Sequence, residues 1–320
     1  MAPNIRFGKV GLVICAVALI AALGGLAAPY LAGRWIEFDV LSHLRLHFIG
    51  LAATAVMALI ARRVWLPVLC AGLLATPVVI GLSPMFAART DEVLPVHAGE
   101  MPLKILTYNT WFRNQDWQAL ESYIRKEDAD VVILLEFGAS KRPLLDRLKS
   151  EYPHRADCIA IKHCRLVLLS KKPFRSAGHK TKWSGPPIIW ARYGQDLGGL
   201  TVIGAHLPRP PAVTPQFLQV RELAKETLKV GDPVIVAGDF NATEWSFTLA
   251  AFQEFSGLWR LTSEPTWPTH FFGLAQFGID HIFISNGLRP LAYPKRGEDV
   301  GSDHLPMSAR IVIMPKAASE

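Results

Sequence analysis

Two polar side chains follow a buried strand near the middle of the chain. Val234 to Val236 is a short β-branched run typical of a fully buried strand, and Asp239 and Asn241 come shortly after it. Side chains two residues apart in an extended chain point to the same side, and α/β proteins place their chemistry at the carboxyl ends of core strands. A turn in which Asp and Asn bond their own backbone is the structural alternative.

Further acids, amides and imidazoles flank other predicted strands. Each has a structural alternative: Glu136 could cap a helix, His206 could be a core histidine, and Asp280 could be a strand-entry residue. Independent structural uses would not place so many such groups at strand ends, so we expect a common site. The set is Asn109, Glu136, His206, Asp239, Asn241, Asp280, Asp303 and His304.

The order and spacing of these motifs resemble the endonuclease/exonuclease/phosphatase superfamily. The resemblance covers about Lys104 to Ile313. Its motifs are Asn109 in Thr107-Tyr-Asn-Thr110, Glu136 after a run of five apolar residues, Gly238-Asp-Phe-Asn241, Ile279-Asp-His281 and Ser302-Asp-His304.

A subset of features resembles the membrane-anchored bacterial branch of that family. These are the stretch from Gly238 to Ser246 and the pair Cys158 and Cys164. Glu244 stands where the branch is expected to have proline, a departure that concerns only the local turn.

The resemblance implies an α/β fold: a four-layered α-β-β-α sandwich with two mixed sheets and outer helices, here preceded by a helical transmembrane anchor. It also implies hydrolysis of phosphoesters with Mg²⁺, Mn²⁺ being the alternative ion. Asn109, Glu136 and Asp303 would offer the hard oxygen ligands that Mg²⁺ prefers.

The resemblance implies catalytic roles for the other five residues. Asp239 would position or deprotonate the attacking water. Asp280 would orient His304 and keep it protonated, so that it stabilises developing negative charge. Asn241 and His206 would contact phosphate oxygens. Such contacts matter because positioning and charge neutralisation supply most of the catalysis in phosphoryl transfer.

Hydrophobic periodicity predicts the elements that must position these residues. Asp116 and Thr214 are predicted helix caps. The predicted helices are 116–126, 140–150, 214–230 and 244–255, and the predicted strands are 103–108, 130–135, 165–170, 188–193, 200–205, 234–236, 279–284 and 307–313.

Residues 1–86 are predicted to be a transmembrane anchor with spans at about 10–31, 47–61 and 64–85. A hydrocarbon core needs roughly 20 apolar residues, and the first run exceeds a signal-peptide core of roughly 7–15 residues. Residues 87–101 are a predicted linker, 102–315 the catalytic domain, and 316–320 a tail.

Charges in the short loops predict the orientation of the anchor. Arg6 and Lys9 precede the first span, and Arg62 and Arg63 separate the second from the third. The positive-inside rule puts both groups in the cytoplasm, so three crossings leave the catalytic domain outside the plasma (inner) membrane. If the second run did not insert, the domain would lie inside.

Cysteine usage favours the outer location. Cys158 and Cys164 are six residues apart, and this spacing with His163 offers too few ligands for zinc. A disulfide that closes a small loop fits better, and it needs an oxidising compartment. Cys15 and Cys70 lie in apolar spans, where a thiol behaves as a small hydrophobe.

Fold alone does not choose the substrate. Residues 1–99 contain 7 Lys/Arg and 4 Asp/Glu, so the rest of the chain carries +4 of the +7 total, little for a duplex-DNA footprint. The anchor and a short linker favour a lipid-linked phosphate or pyrophosphate such as that of a polyprenyl carrier, and Phe271, Phe272, Leu274 and Phe277 could form an apolar rim. An anchored nuclease and a non-enzymatic membrane sensor are the alternatives; no protein partner is predicted.

The charge pattern predicts an experimental topology. A C-terminal reporter that is active only outside the cytoplasm should be active when it is fused after Glu320. The matched control is a fusion after Arg63, which should be inactive. A C-terminal fusion that works only with a cytoplasmic reporter would contradict the three-span prediction.

Overall fold

The computed structural model of the protein describes residues 9–65, 67–68, 71–72, 93–161, 163–231, 233–261, 264–270 and 275–315. The chain divides into two compact units. One comprises Met1–Ala88 with Trp245–Phe247, and the other comprises Arg89–Glu244 with Thr248–Glu320.

Helices make up the described part of the N-terminal unit. Leu19, Ala55 and Leu59 are buried in one cluster, so the two α-helices pack on each other. The elements are α1 (Lys9–Ala27), a 3₁₀ turn (Ala28–Leu31), a 3₁₀ segment (Ile36–Leu44) and α2 (Arg45–Ala61).

Two stretches of this unit, Lys9–Leu31 and Ile36–Ala61, are long and apolar enough to cross a membrane. Signal sequences and core helices of soluble proteins can have the same length and composition. The first stretch coincides with the predicted span 10–31, and the second begins well before residue 47. Most of the predicted third span, residues 87–92 of the predicted linker and the tail 316–320 lie outside the described residues.

The second unit holds all described strands. Its helices are α3 (Trp117–Glu127), α4 (Arg142–Arg147), α5 (Val213–Val230) and α6 (Phe247–Ser256). Its strands are β1 (Met101–Asn109), β2 (Val131–Leu135), β3 (His154–Asp157), β4 (Val167–Ser170), β5 (Phe174–Lys180), β6 (Ile188–Tyr193), β7 (Thr201–His206), β8 (Val234–Asp239), β9 (Trp259–Arg260), β10 (Asp280–Ile284), β11 (Leu288–Pro290), β12 (Lys295–Arg296) and β13 (Met307–Ile313).

The first sheet is mixed and has the order β11-β13-β1-β2-β4-β3, with β12 also paired to β13. Its central strand β1 runs parallel to β2 and antiparallel to β13. Asn109, the last residue of β1, lies opposite Leu135, the last residue of β2. Asn109 and Glu136 are therefore delivered to the same edge of this sheet.

The second sheet is also mixed and has the order β5-β6-β7-β8-β10-β9. Strand β8 is parallel to β7 and antiparallel to β10. The register places His206 and Asp280 on either side of Asp239. Three predicted site residues therefore lie side by side on neighbouring strands.

The two sheets pack face to face over one apolar core to which both contribute, with Ile133 from the first and Val202 from the second. The sheets approach closely at Gly204, where an added Cβ would come within 2.6 Å of Ile133. Separate clusters bury α3 and α4 against the first sheet and α5 and α6 against the second. The predicted four-layered α-β-β-α sandwich is confirmed.

The sequence located the buried strands more accurately than the edge strands and the helix ends. The edge strands β3, β5, β9, β11 and β12 were not predicted, because edge strands carry polar residues and lack a two-sided apolar pattern. Asp116 caps α3 as predicted, its side chain accepting from the Ala119 amide at 2.9 Å.

The predicted cap at Thr214 is wrong, since α5 begins at Val213 and Ala212 is its N-cap residue. The loop before it contains Pro208, Pro210 and Pro211. The helix begins directly after this proline-rich segment, one residue before Thr214. The helix predicted at 140–150 is shorter, and the one predicted at 244–255 starts at Phe247.

Cys158 and Cys164 form a disulfide, with their Cα atoms 5.8 Å apart. Both residues are 2% exposed. The loop they close lies between β3 and β4, where the Cys158 amide donates to the Leu166 carbonyl oxygen at 3.0 Å. By the loop-entropy relation, closing so short a loop stabilises the fold by about 2 kcal/mol.

We therefore expect thiol reagents to modify neither Cys158 nor Cys164 in the denatured, unreduced chain. The double variant Cys158→Ser/Cys164→Ser should lose activity on heating about 4–8 °C below the wild type. Cys15→Ala is the control and should leave this midpoint unchanged. Labelling of either loop cysteine before reduction would contradict the bonded state.

Candidate active site

The predicted site residues meet where the strand ends of the two sheets come together. Asn109 comes from the first sheet, whereas Asp239 and Asp280 come from the second. The Asn109 Nδ2 donates to Asp239 Oδ2 at 3.0 Å. This hydrogen bond joins the two sheets at the site, and both residues are 1% exposed.

Asp239, Asp280 and His304 form a buried charged cluster. His304 Nδ1 donates to Asp280 Oδ2 at 2.7 Å, and His304 Nε2 lies 3.8 Å from Asp239 Oδ2. Burial alone would lower the pKa of His304, but the carboxylates of Asp280 and Asp239 raise it to about 10. The imidazole is therefore protonated at neutral pH.

Burial also acts on the partner carboxylate. It raises the pKa of Asp239 to about 6, although the His304 charge opposes the shift. Asp239 is thus ionised at neutral pH but is a stronger base than an exposed aspartate. Its negative charge and the positive charge of His304 stabilise each other.

The same three residues lie within 4.8 Å of one another and could be mistaken for a metal site. While both ring nitrogens carry protons, His304 has no lone pair to offer a metal ion. Its Nδ1 is moreover already bonded to Asp280. We assign this cluster to proton and charge chemistry.

The turn after β8 holds Asp239 and Asn241 in place. The Asn241 amide donates to Asp239 Oδ1 at 2.8 Å, and Asn241 Nδ2 donates to the Leu207 carbonyl oxygen at 2.9 Å. Gly238 has φ 148°, and a Cβ there would lie 2.0 Å from the Ala205 carbonyl oxygen. Only glycine therefore fits at this position of β8, directly before Asp239.

Buried Gln216 on α5 supports the same turn from below. Its Nε2 lies 2.9 Å from each of the carbonyl oxygens of Pro208, Phe240 and Asn241. The sequence does not predict this positioning residue, because a glutamine on a helix gives no signal of its contacts in the fold.

Glu136 and Asp303 supply carboxylate oxygens to the open side of the site. Glu136 is in the left-handed region with φ 49°; its Oε2 accepts from the Phe112 amide at 3.3 Å, and its Oε1 is 3.8 Å from His206 Nε2. Asp303 Oδ2 accepts from Trp267 Nε1 at 3.3 Å. Asp303 Oδ1 is buried and has no hydrogen-bond partner among the described residues.

These oxygens fit a hard divalent cation. A buried carboxylate oxygen without a donor is costly unless a cation satisfies it, and Mg²⁺ is bound by one or two carboxylates together with water and phosphate. Asn109 differs from the expected ligand, since its Nδ2 faces Asp239 while its Oδ1 accepts from the Trp111 amide at 3.0 Å. Its oxygen keeps one free lone pair.

A cleft of about 410 Å³ opens above this group. Asn109 and Asp280 are buried beneath it, and the other six predicted site residues line it. The lining also includes four residues that no sequence motif indicates: Phe112, Arg165, Arg209 and Trp267.

Fully buried Lys141 is a further missed residue. Its Nζ donates to the Trp111 carbonyl oxygen at 2.7 Å. Burial lowers its pKa to about 8, against the attraction of Glu136. His281, by contrast, points away from the cluster as its position in the strand predicted, with Nε2 2.8 Å from the Ala242 carbonyl oxygen.

Comparison with known proteins places the second unit. Residues 106–304 match the family described as Endonuclease/Exonuclease/phosphatase family. No curated protein matches the chain significantly.

Several solved structures share the fold. A family protein from Bacteroides thetaiotaomicron is 16% identical with a TM-score of 0.56, over 68% of this chain and 99% of its own. Sphingomyelinase C from Streptomyces griseocarneus is 18% identical with a TM-score of 0.51, over 66% and 99%. A variant of the beta toxin from Staphylococcus aureus with bound magnesium ions is 16% identical with a TM-score of 0.52, over 65% and 99%.

The buried cluster predicts the pH dependence of turnover. Activity should fall below about pH 6, where Asp239 gains a proton, and above about pH 10, where His304 loses one. In Asp280→Asn the carboxylate that stabilises the imidazolium is gone, so the pKa of His304 falls. The alkaline limb should therefore move to lower pH by about 1–3 units.

The pH profile of kcat/KM measures this shift, with an NMR titration of the His304 ring as an independent readout. Asp196→Asn, an exposed change at the opposite end of β7, is the control and should leave the limb in place. An unmoved alkaline limb in Asp280→Asn would contradict the assigned coupling.

Proposed function

Because this chain belongs to the endonuclease/exonuclease/phosphatase family, whose members are metal-dependent hydrolases of phosphoester bonds, we propose that it hydrolyses a lipid-linked phosphate ester or pyrophosphate at a membrane surface. The observation that carries this proposal is the buried Asp239–Asp280–His304 cluster beside the open carboxylates of Glu136 and Asp303. The cluster supplies a base and a proton donor, and the carboxylates can hold a cation.

Glu136 and Asp303, with the free lone pair of Asn109 Oδ1, would hold Mg²⁺, and Mn²⁺ is the alternative ion. When bound, such an ion neutralises charge on a phosphate oxygen. The unpartnered Oδ1 of Asp303 supports this assignment. Lys141, buried behind the site, offsets part of the charge of Glu136.

Asp239 is the proposed base. Its Oδ1 accepts the Asn241 amide and its Oδ2 accepts Asn109 Nδ2, so the carboxylate is fixed in orientation. A water molecule bonded to its remaining lone pair would be aimed into the cleft. As the water oxygen attacks phosphorus, its proton passes to Asp239, whose raised pKa favours that transfer.

His304 is the proposed donor to the group that leaves. Asp280 fixes the ring by its bond to Nδ1, so the Nε2 proton faces the cleft. Asn109 Nδ2 lies 3.4 Å from that nitrogen, but both are donors and cannot bond each other. The Nε2 proton therefore stays available for the oxygen of the ester bond that breaks.

His206 and Asn241 are proposed to hold the non-bridging phosphate oxygens. His206 Nε2 lies 3.5 Å from Asp239 Oδ2 and lines the cleft. The side-chain amide of Asn241 donates one hydrogen to the Leu207 carbonyl oxygen. Its second hydrogen can be donated to the substrate. Together they would orient the phosphorus in line with the water.

Several observations support a membrane location, as in the membrane-anchored bacterial branch of the family. Lys9–Leu31 and Ile36–Ala61 have the length and composition of spans. The Cys158–Cys164 disulfide fits an oxidising compartment outside the cytoplasm. We propose a multi-pass protein of the plasma (inner) membrane with its catalytic domain outside.

The cleft suits a lipid phosphate in several respects. Binding of a lipid phosphate needs only a few charges at the cleft. At the rim, Trp267 packs on Phe277 with ring centroids 5.7 Å apart. Phe271, Phe272 and Leu274 of the predicted apolar rim lie outside the described residues. Sphingomyelinase C is one of the proteins with this fold, so the architecture accommodates a lipid headgroup.

One observation supports the nuclease alternative. A second cavity of about 500 Å³ is lined by five basic residues and two acidic ones. Two of the lysines are already paired, Lys104 with Glu127 and Lys126 with Glu298. The remaining excess of charge is small for a polyanion, but the experiment must include DNA.

The test offers the full chain in detergent three substrates with Mg²⁺: a polyprenyl pyrophosphate, sphingomyelin and duplex DNA. We expect phosphate release from the pyrophosphate, loss of that activity with a chelator, and little DNA cleavage. Asp239→Ala should lower kcat by about 10²–10⁴-fold, because it removes the general base. Asp196→Ala is the matched control.

DNA nicking that disappears in Asp239→Ala, with the lipid left intact, would replace the lipid proposal with the nuclease. The affinity of the protein for DNA should then fall steeply with increasing salt concentration.

A further inference from the structure

Two arginines at the mouth of the cleft have no role in the chemistry described above. Arg165 follows the disulfide loop before β4, and Arg209 lies three residues after His206 at the end of β7. Both line the cleft and both are exposed. Neither guanidinium has a carboxylate within 4 Å among the described residues, so the two charges are not neutralised by ion pairs there.

The backbone of Arg165 is tied to the predicted metal ligand. Its carbonyl oxygen accepts from the amide of Phe137 at 2.9 Å, the residue directly after Glu136. Arg165 has φ 51° and follows Cys164, whose disulfide closes the loop. Its guanidinium carbon lies 4.9 Å from the ring centroid of Phe112, the residue whose amide donates to Glu136.

The loop that carries Arg209 is tied to Asp239 in the same manner. The Leu207 amide donates to the Asp239 carbonyl oxygen at 2.9 Å. Gln216 Nε2 holds the Pro208 carbonyl oxygen, and the Ala212 amide donates to the Arg209 carbonyl oxygen at 3.2 Å. The loop of Arg165 is thus anchored next to the proposed metal ligand Glu136, and the loop of Arg209 is anchored at the proposed base Asp239.

The arginines exceed what a single phosphate needs. The scissile phosphate already has His206, Asn241, His304 and the cation site at the floor of the cleft. A guanidinium presents a planar fork of donors that matches phosphate oxygens, and stacking on Phe112 leaves the edge of the Arg165 guanidinium free for such a contact. Two unneutralised forks at the mouth call for a further anionic group.

We propose that Arg165 and Arg209 form a second anion subsite, which selects esters carrying a second phosphate next to the scissile one. The inference rests on the proposed function and narrows it to a diphosphate ester. The terminal phosphate occupies the floor of the cleft, and the second phosphate, toward the lipid, binds the arginines.

The reaction balances without any further reactant. Water adds to the terminal phosphorus and gives up its proton to Asp239, and the bond from that phosphorus to the bridging oxygen breaks. The products are orthophosphate and the lipid monophosphate, whose leaving oxygen receives the His304 proton. The arginines stabilise the charge that develops on this leaving phosphate.

The same geometry disfavours a choline-type diester. Its quaternary ammonium would lie among cations at the mouth of the cleft. An aromatic face could bind such a group, but Arg165 already covers the ring of Phe112, and Trp267 is packed on Phe277.

The experiment compares a polyprenyl diphosphate with the monophosphate of the same alcohol, using the full chain in detergent with Mg²⁺. Arg165→Gln and Arg209→Gln should each lower kcat/KM for the diphosphate by about tenfold and change that for the monophosphate by less than about twofold. Arg175→Gln, an exposed change on β5 away from the cleft, is the control. Equal losses on both lipids, or no loss on the diphosphate, would overturn the subsite.

Calorimetric binding of inorganic pyrophosphate and orthophosphate gives a readout that does not need turnover. The wild type should prefer pyrophosphate, and either arginine variant should lose that preference. If the wild type hydrolysed neither lipid, the proposed function would fail while this measurement still decided the subsite. Equal binding of the two anions by the wild type would refute it, and a selective loss of DNA cleavage in the variants would reassign the arginines to a nuclease.

Discussion

Two carboxylates that face each other across neighbouring strands are the constraint on which this site depends. Asp239 on β8 and Asp280 on β10 are in register, and both are buried. Like charges directly opposite each other destabilise an antiparallel pair, and burial increases the cost. The protonated ring of His304 lies against both carboxylates and compensates them. The arrangement that catalysis needs is therefore also the one that the fold tolerates.

The same cluster ties the two sheets to each other. The apolar core between the sheets is held by non-directional contacts. Close packing of Ile133 against Gly204 limits the separation of the sheets but gives no polar link at their edge. The bond from Asn109 to Asp239 supplies that link. Because separation of the sheets would deprive the buried Oδ2 of Asp239 of this donor, we expect the sheets to be held in one relative position at this edge. A fixed edge keeps Glu136 and Asp239 at a constant spacing.

The sequence predicted the strand ends well because burial on both faces leaves an unmistakable apolar run, as in Val131–Leu135 before Glu136. It also predicted that polar residues after such runs would meet. It could not indicate Gln216, Arg165 or Arg209, whose proximity to the site arises from loop paths and helix placement. The start of α5 was misjudged at Thr214, because a threonine before Pro215 fits the capping signature whether it precedes the helix or lies in its first turn.

Catalytic residues at strand ends can be predicted from the sequence more readily than residues in loops that select the substrate. The base, its imidazolium partner and the sheet-joining amide belong to strand ends or to the segments directly beside them, where register fixes their geometry. The two arginines at the cleft mouth, Arg165 and Arg209, belong to loops. Loops can vary in length and path without disturbing the core. In this chain a disulfide and backbone bonds to Phe137 and Asp239 restrain those loops. A loop restrained beside Glu136 or Asp239 keeps its arginine at the cleft, and under the proposed subsite the charge at the cleft mouth then contributes to substrate choice and not only to solubility.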